Sequence, residues 1–454
     1  MRPLVLLPLL LLASCVSWEG DPQPTPGLEN SFKNTGSRVP PPQGSWWKIY
    51  QDRKLTRLIA LAEKQSQSLQ AALARHEQAR ALLDFNRVDR RPTVNGEGYA
   101  RRQQDSGNTN FSAGTFNDYK MVLDLSWELD LWGKIRRTVA ASAADAEAAK
   151  YEMEAVALSL RADLVRTYLS LRYLDAELAL LGETGELRRE ARRLMQARFK
   201  GGASSRIDYE RAAREDEEVR SELAQLRAER ARFENALAVL TGQSASGFQL
   251  KPNGRRPFIP EVPSAAPSAL LRRRPDVAAA ERRLEAARER VGLSIVQTYP
   301  SISITGEGGV QALRSSDLFD AGSKIWNIGP EVTIPFVQWG RGKANTANAA
   351  GIYKEALANY RDTLLRAVEE TENALGDTKM LAEAASARKR GSASSATIAV
   401  LARKRYQAGV TDYFEVVEAE RDSLEGQRTS LTLARERTLA TASLVEALGG
   451  GWER

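Results

Sequence analysis

Sulfur and imidazole are almost missing from this chain: its 454 residues include one cysteine, Cys15, one histidine, His76, and five methionines. A single cysteine excludes a disulfide framework. His76 has no cysteine or carboxylate ligand at metal spacing, and reads as a helix-packing or surface residue. Ser/His/Asp chemistry would have to recruit that one histidine, and no Gly-x-Ser-x-Gly elbow accompanies it. So few methionines form no soft-metal cluster, which argues against a dedicated copper route. Gly306-Glu307-Gly308-Gly309 lies in or beside an expected strand and is therefore no phosphate cradle. No catalysis, no metal and no cofactor are expected. Proline is absent between Pro92 and Pro252 and again after Pro335, as uninterrupted helix requires, since an interior proline costs about 3 kcal/mol. The leucine-rich run Leu4 to Leu12 is too short to span a bilayer. A net charge of +7 is compatible with nucleic acid. However, arginines such as Arg188, Arg189, Arg192 and Arg193 alternate with glutamates as on solvated helix faces, so no nucleic-acid partner is expected.

What is present is a strand pattern that occurs twice. From Tyr119, every second residue is large and apolar (Tyr119, Met121, Leu123, Leu125, Trp127, Leu129, Leu131). Lys120, Asp124, Ser126, Glu128 and Asp130 lie between them, and Val122 is the one apolar intruder. The second copy reads Trp326, Ile328, Pro330, Val332, Ile334, Phe336, interleaved with Asn327, Gly329, Glu331 and Thr333. Period two puts each set on its own face. An apolar face ending in aromatics, opposite one bearing carboxylates, suits lipid outside and water inside. A half-buried soluble hairpin shares the alternation.

The duplication extends past the strands. Arg91-Pro92-Thr93-Val94 is echoed by Tyr299-Pro300-Ser301-Ile302, and Leu131-Trp132-Gly133-Lys134 by Gln338-Trp339-Gly340-Arg341. Arg198-Phe199-Lys200-Gly201-Gly202 returns as Arg405-Tyr406-Gln407-Ala408-Gly409, and Leu240-Thr241-Gly242 as Leu448-Gly449-Gly450. The halves are therefore expected to be structurally equivalent. Each reads helix, two strands, very long helix, tight turn, helix. Met153, Ala157, Leu160, Leu164, Thr167, Leu171, Leu174, Leu178 and Leu181 alternate steps of four and three, a coiled-coil seam. A helix from about Gly133 to Lys200 would be on the order of 100 Å long, with a kink expected near Gly182 and Gly185.

The division expected is residues 1–14 as signal peptide and 15–48 as a lipid-anchored extended arm. A first repeat occupies 49–250, with strands at about 92–102 and 117–131. A proline-rich connector at 251–267 leads to a second repeat at 268–454, with strands at about 300–310 and 325–336. Leu12-Ala13-Ser14-Cys15 is similar to a bacterial lipoprotein signal, with Cys15 as the acceptor of covalent lipid. Val16, in place of aspartate, favours the outer membrane. Four strands leave open edges that lipid cannot satisfy. Single-chain membrane barrels start at about eight strands, so at least two copies must share one barrel. Dimer and trimer remain open on these grounds.

The chain resembles the outer membrane factor family, the TolC/OprM-like exit ducts of tripartite efflux systems, in its lipoprotein branch. The match is carried by Trp46-Trp47, Glu128 to Lys134, Leu271 to Val277, Tyr299-Pro300, Ala447 to Trp452, and the segments Arg198–Asp208 and Arg405–Arg421. It covers the chain from about Cys15 onward. The resemblance implies a mixed α and β membrane protein, internally duplicated. Its transmembrane β-barrel is shared, with four strands per subunit and twelve in a trimer, above a long α-helical coiled-coil periplasmic tunnel. It also implies a homotrimer in outer membrane lipid, partnered by a periplasmic adaptor protein and an inner-membrane transporter. Gly201, Gly202, Ala203, Ser204, Gly409, Val410 and Thr411 would then be adaptor-contact tips. Phe414, Glu418 and Arg421 would form a periplasmic gate, with Arg211 and Arg214 as their first-half counterparts. The longer arm of Glu418 stands where the family often has aspartate. Ser205 and Asp412 are placed to cap the helices after the turns. A TolC-like duct for type I protein secretion shares these features. A general porin has no use for such helices, and a periplasmic coiled-coil scaffold has none for the strands.

Overall fold

The computed structural model describes residues 32–33, 44–106, 108, 114–260, 271 and 273–450. Cys15, the expected signal peptide and most of the expected arm lie outside them, as does much of the connector. Helices α1 (Arg53–Gln65) and α2 (Gln67–Val88) precede strands β1 (Thr93–Gln104) and β2 (Thr115–Glu128), then α3 (Lys134–Lys200) and α4 (Arg206–Leu240). The second repeat supplies α5 (Pro275–Val296), β3 (Ser301–Ala312), β4 (Lys324–Thr333), α6 (Arg341–Gln407) and α7 (Tyr413–Ala447). The repeats agree in length: α3 and α6 have 67 residues each, α4 and α7 have 35 each.

The described residues form two compact units, each drawing on both repeats. One lies in Ala74–Lys150 and Ala279–Arg361, the other in the described parts of Gly27–Leu73, Tyr151–Ala278 and Asp362–Arg454. Sequence halves and spatial units therefore cut the chain differently.

The first unit holds a four-stranded antiparallel sheet in the order β1-β2-β3-β4. The expected strand ends at 131 and 336 are too late: β2 stops at Glu128 and β4 at Thr333. Asp130 leaves the strand to cap α3, its carboxylate accepting from the Ile135 amide at 2.9 Å and the Arg136 amide at 3.0 Å. Pro335 has no amide to extend β4. Met121, Leu123, Trp326, Ile328 and Val332 are exposed along one face. The other face carries Asp118, Lys120, Asp124, Glu307 and Glu331, as the pairings Asp124↔Glu307 and Ser303↔Glu331 require.

Val122 fits this polar face for a local reason. It pairs with Gly309, and the flanking pairs are Lys120↔Gln311 and Asp124↔Glu307. The Lys120 ammonium meets the Glu307 carboxylate at 2.6 Å, closing diagonally over the Val122–Gly309 pair and leaving Val122 4% exposed. A Cβ on Gly309 would stand 2.1 Å from the Met121 carbonyl oxygen, so only glycine allows the approach. Beside it, Asp118 accepts from the Tyr99 hydroxyl at 3.0 Å and the Gln311 amide at 2.9 Å, joining three strands.

In the second unit, Trp46, Trp47 and Tyr50 pack with Leu55, Ile59, Leu164, Leu171 and Leu237 in one apolar cluster. Every residue of the expected α3 seam is buried or half-buried. α3 runs as one helix from Lys134 to Lys200, through Gly182 and Gly185. A Cβ on Gly185 would lie 3.3 Å from Val219, so this glycine serves close packing of α3 against α4. Two buried charged groups lock the unit. Asp175 accepts from Arg172 at 2.8 Å, Arg230 at 2.6 Å and the Asn253 amide at 2.9 Å. Arg274, from the Leu271–Val277 motif, meets Asp276, Glu370 and the Ala447 carbonyl.

Candidate functional site at the helix-hairpin turns

The sequence-expected site residues of the described chain all lie in the second unit, at the turns joining α3 to α4 and α6 to α7. The two turns are built alike. Gly202 donates to the Phe199 carbonyl at 3.0 Å and Ala203 to that of Arg198 at 2.7 Å. Gly409 donates to Tyr406 and Val410 to Arg405, both at 3.0 Å. This is the Schellman closure of a helix C-terminus, with its left-handed residue at Gly202 and Gly409, both at φ 72°. A side chain there would be strained. Gly201 and Ala203 are exposed and Ser204 is half-buried.

Both expected caps are formed. Ser205 makes a reciprocal capping box with Asp208, and Asp412 accepts from the Glu415 amide at 3.1 Å. In the second turn, Glu415 also receives Arg405 at 2.8 Å and the Thr411 hydroxyl. Val410 remains 67% exposed, as does Ile207 at 63%. An apolar cluster of Met195, Ala212, Tyr413, Val416 and Val417 holds the hairpins together just inside. Burial pushes the Tyr413 hydroxyl above its ordinary pKa.

Glu418 and Arg421 are brought together, but not as an isolated pair, and Phe414 meets Arg211. The Arg421 guanidinium stands 3.5 Å from Glu418, 3.5 Å from Glu218 and 3.6 Å from Glu215. It therefore ties α7 to α4 as well as to its own helix. Glu215 is the buried member, 4% exposed, and also meets Arg214 at 2.8 Å and Arg188 at 4.0 Å. The hydrogen bond to Glu215, reinforced by the Glu218 charge, raises the Arg214 pKa. Arg188 bridges on to Glu420 at 2.9 Å, which Arg403 also contacts. Arg211 lies over the Phe414 ring, 4.6 Å from its centre, so this phenyl is half-covered by a cation.

Sequence reasoning missed Glu215, Glu218 and Arg188. In Arg211-Ala212-Ala213-Arg214-Glu215-Asp216-Glu217-Glu218 a carboxylate reads as solvated. A usable signal was the step from Arg211 and Arg214 to Glu215 and Glu218, i,i+4 in both cases. Among the described residues no group of His, Cys, Asp and Glu is arranged to hold a metal ion, and no helix is long and apolar enough to cross a membrane.

The family model described as outer membrane efflux protein matches residues 58–243 and again 266–450, once for each repeat. Outer membrane protein OprJ of Pseudomonas aeruginosa is 31% identical over 415 residues, 90% of this chain and 86% of that protein. A Salmonella typhimurium protein named probable outer membrane lipoprotein SilC is 27% identical over 460 residues, 98% of this chain and 97% of its own. Among solved structures, the Campylobacter jejuni outer membrane channel CmeC superposes with a TM-score of 0.90 at 26% identity, covering 97% of this chain and 96% of that one.

Proposed function

Because this chain belongs to the outer membrane efflux protein family, we propose how its parts divide the work of the exit duct that it forms in the outer membrane. The protein is a channel component of an efflux system. Three copies close one twelve-stranded barrel in outer membrane lipid. The helical hairpins then receive substrate from a periplasmic adaptor and an inner-membrane transporter, and conduction is passive. The observation that carries it is the four-stranded sheet with exposed apolar residues on one face and both edge strands, β1 and β4, unpaired on their outer sides among the described residues. Lipid supplies no partner for an edge backbone, so copies must pair edge to edge, and cyclic symmetry closes the ring.

In this account Gly201, Gly202, Ala203, Ser204, Gly409, Val410 and Thr411 are the adaptor-contact tips. Exposed Val410 and Ile207 supply the apolar part of that contact. Phe414, Glu418 and Arg421, now with Glu215 and Glu218, form the periplasmic gate. The test is a strain deleted for this gene. It accumulates efflux dyes and regains export on complementation, and the purified protein conducts ions across planar bilayers. A purified chain that stays monomeric in detergent and forms no channel overturns the reading.

Cys15 carries the lipid in this proposal, supported by the signal resemblance and by the name of the relative that spans nearly the whole chain. Changing Cys15 to Ser is expected to abolish incorporation of radiolabelled palmitate while unheated gels still show oligomer. Retained label in the Cys15→Ser protein would remove the anchor from the account.

A further inference from the structure

The two helical hairpins agree in length but not in what fills the space between their arms. In the first, Arg192 of α3 reaches α4 and meets Asp216 at 2.9 Å and Glu217 at 2.8 Å, and Arg220 meets the same Asp216 at 3.0 Å. The residues 207 positions later are Ala399 on α6 and Ser423, Leu424 and Gln427 on α7. Alanine in place of arginine removes the bridge, and a cavity of about 440 Å³ stands there, walled by α6, α7 and the Thr184–Arg188 stretch of α3. Its α6 wall is one ridge, Ala396, Ala399, Val400, Arg403 and Gln407, at helical steps of three and four. Helices α6 and α7 close on each other at both ends of the gap. At one end a Cβ on Gly426 would stand 3.3 Å from the Ser392 hydroxyl, and at the other Tyr406 packs on Tyr413 with ring centres 5.7 Å apart. A bounded space of this size falls in the range of small-molecule sites, on the order of 300–1,000 Å³.

We propose that this cavity binds a small amphipathic anion, its charged head on Arg403 and Lys404 and its apolar body on Leu187, Val400 and Leu424. The lining holds three cations, Arg188, Arg403 and Lys404, against one carboxylate, Glu420. Both oxygens of that carboxylate are taken, one by Arg188 at 2.9 Å and the other by Arg403 at 3.1 Å. The Lys404 ammonium has no hydrogen bond or ion pair among the described residues. Where Arg403 and Lys404 stand, the first repeat has Gln196 and Ala197. The second repeat has thus exchanged two carboxylates for two cations at the same level of the hairpin. Leu187 and Val400 are each 54% exposed, so an apolar body laid on them takes surface out of water. An inorganic anion would leave those walls unused, and a partner's helix would not pass between the two closures.

Occupancy has a mechanical consequence, which rests on the exit-duct reading. The ligand touches α3 of one hairpin and α6 and α7 of the other, and so clamps them in the arrangement that forms the cavity. A ligand that favours one arrangement draws the population toward it, so binding lowers conductance.

Fluorescence titration of the assembled full-length protein in neutral detergent tests the site, with dansylate, an aromatic sulfonate, and its uncharged amide as probes. Dansylate is expected to bind saturably and the amide about tenfold or more weaker, as loss of a charged hydrogen bond implies. Lys404→Gln should weaken dansylate by a similar factor and leave the amide unchanged. Ala399→Arg with Ser423→Asp and Leu424→Glu writes the first repeat's filling into the second. It should abolish binding while unheated gels still show oligomer. Dansylate taken up equally by the refilled protein, or no better than the amide, is detergent partition and overturns the site. In planar bilayers, dansylate on the hairpin side should lower the conductance of wild type and not of the refilled protein. Unchanged conductance, or equal loss in both, overturns the clamp. A protein that conducts but binds no dansylate overturns the site and leaves the duct standing. One that binds dansylate and never conducts overturns the duct and leaves the site.

Discussion

Replacing Glu418 and Arg421 together with alanine is expected to raise single-channel conductance in planar bilayers severalfold and to lengthen open dwell times. Arg421 makes three ion pairs, all at 3.5–3.6 Å and with its own side chain 43% exposed. Such half-exposed pairs are worth about 0–1 kcal/mol each, so about 1 kcal/mol per subunit is a fair sum. Multiplied over the proposed trimer that becomes about 3 kcal/mol, roughly a hundredfold in the closed-to-open ratio. Two of the three pairs run to α4, so the double variant releases α7 from the neighbouring hairpin. The single change Glu418→Ala should do much less, because it leaves Arg421 on Glu215 and Glu218. Equal conductance of wild-type and double variant, with both proteins assembled, would show that the aperture is held by something other than this cluster. Glu215 is the wrong residue for a gating test. It is 4% exposed with Arg188 and Arg214 beside it, and its loss would take a shared buried carboxylate from both, leaving Arg188 on Glu420 and Arg214 on Glu218, and disturb the hairpins themselves.

The second large effect concerns stability. Asp175→Ala should lower the unfolding free energy by about 3–5 kcal/mol, the cost of removing one partner from a buried ionic cluster. Asp175 is wholly buried, between Arg172 at 5% and Arg230 at 12% side-chain exposure. The oxygen that accepts from Arg172 also holds the Asn253 amide, fastening the extended segment after α4. Alanine removes all of these contacts, leaving the buried Arg172 with only the Lys251 carbonyl and Arg230 with Glu234 and the Leu250 carbonyl. The expected readout is a lower urea midpoint for loss of helical circular dichroism and faster proteolysis between Leu250 and Arg256. Arg189→Ala is the control. Its i,i+3 partner Glu186 is 71% exposed, so a change within about 0.5 kcal/mol is expected. If both variants melted with wild type, the Asp175 cluster would carry no stability.

Much of this architecture was legible because it depends on local rules. Alternation marked the strands, the proline-free intervals marked α3 and α6, and small residues before Ser205 and Asp412 marked the turns and their caps. The duplication also made each half a check on the other. What escaped notice depends on neighbours distant in sequence. Val122 looked misplaced because the Lys120–Glu307 bridge that covers it joins strands from different repeats. Glu215 looked solvated because Arg421, more than two hundred residues later, is what helps bury it. Gly185 suggested a kink because the close approach of Val219 cannot be seen from within α3. The strand ends were read too late because Asp130 caps the next helix and Pro335 lacks the amide that a longer ladder would need.

The identical helix lengths in the two repeats constrain how such a chain can evolve. Seven residues added to α3 alone would displace one hairpin turn by about 10 Å while its twin stayed at its old level. The apolar contacts of Met195 and Ala212 with Tyr413, Val416 and Val417, which hold the two hairpins together, would then fall out of step. A tolerated insertion must therefore appear four times, once in each arm of both hairpins. Gene duplication has in this way turned helix length into a ruler that drifting mutations can hardly reset.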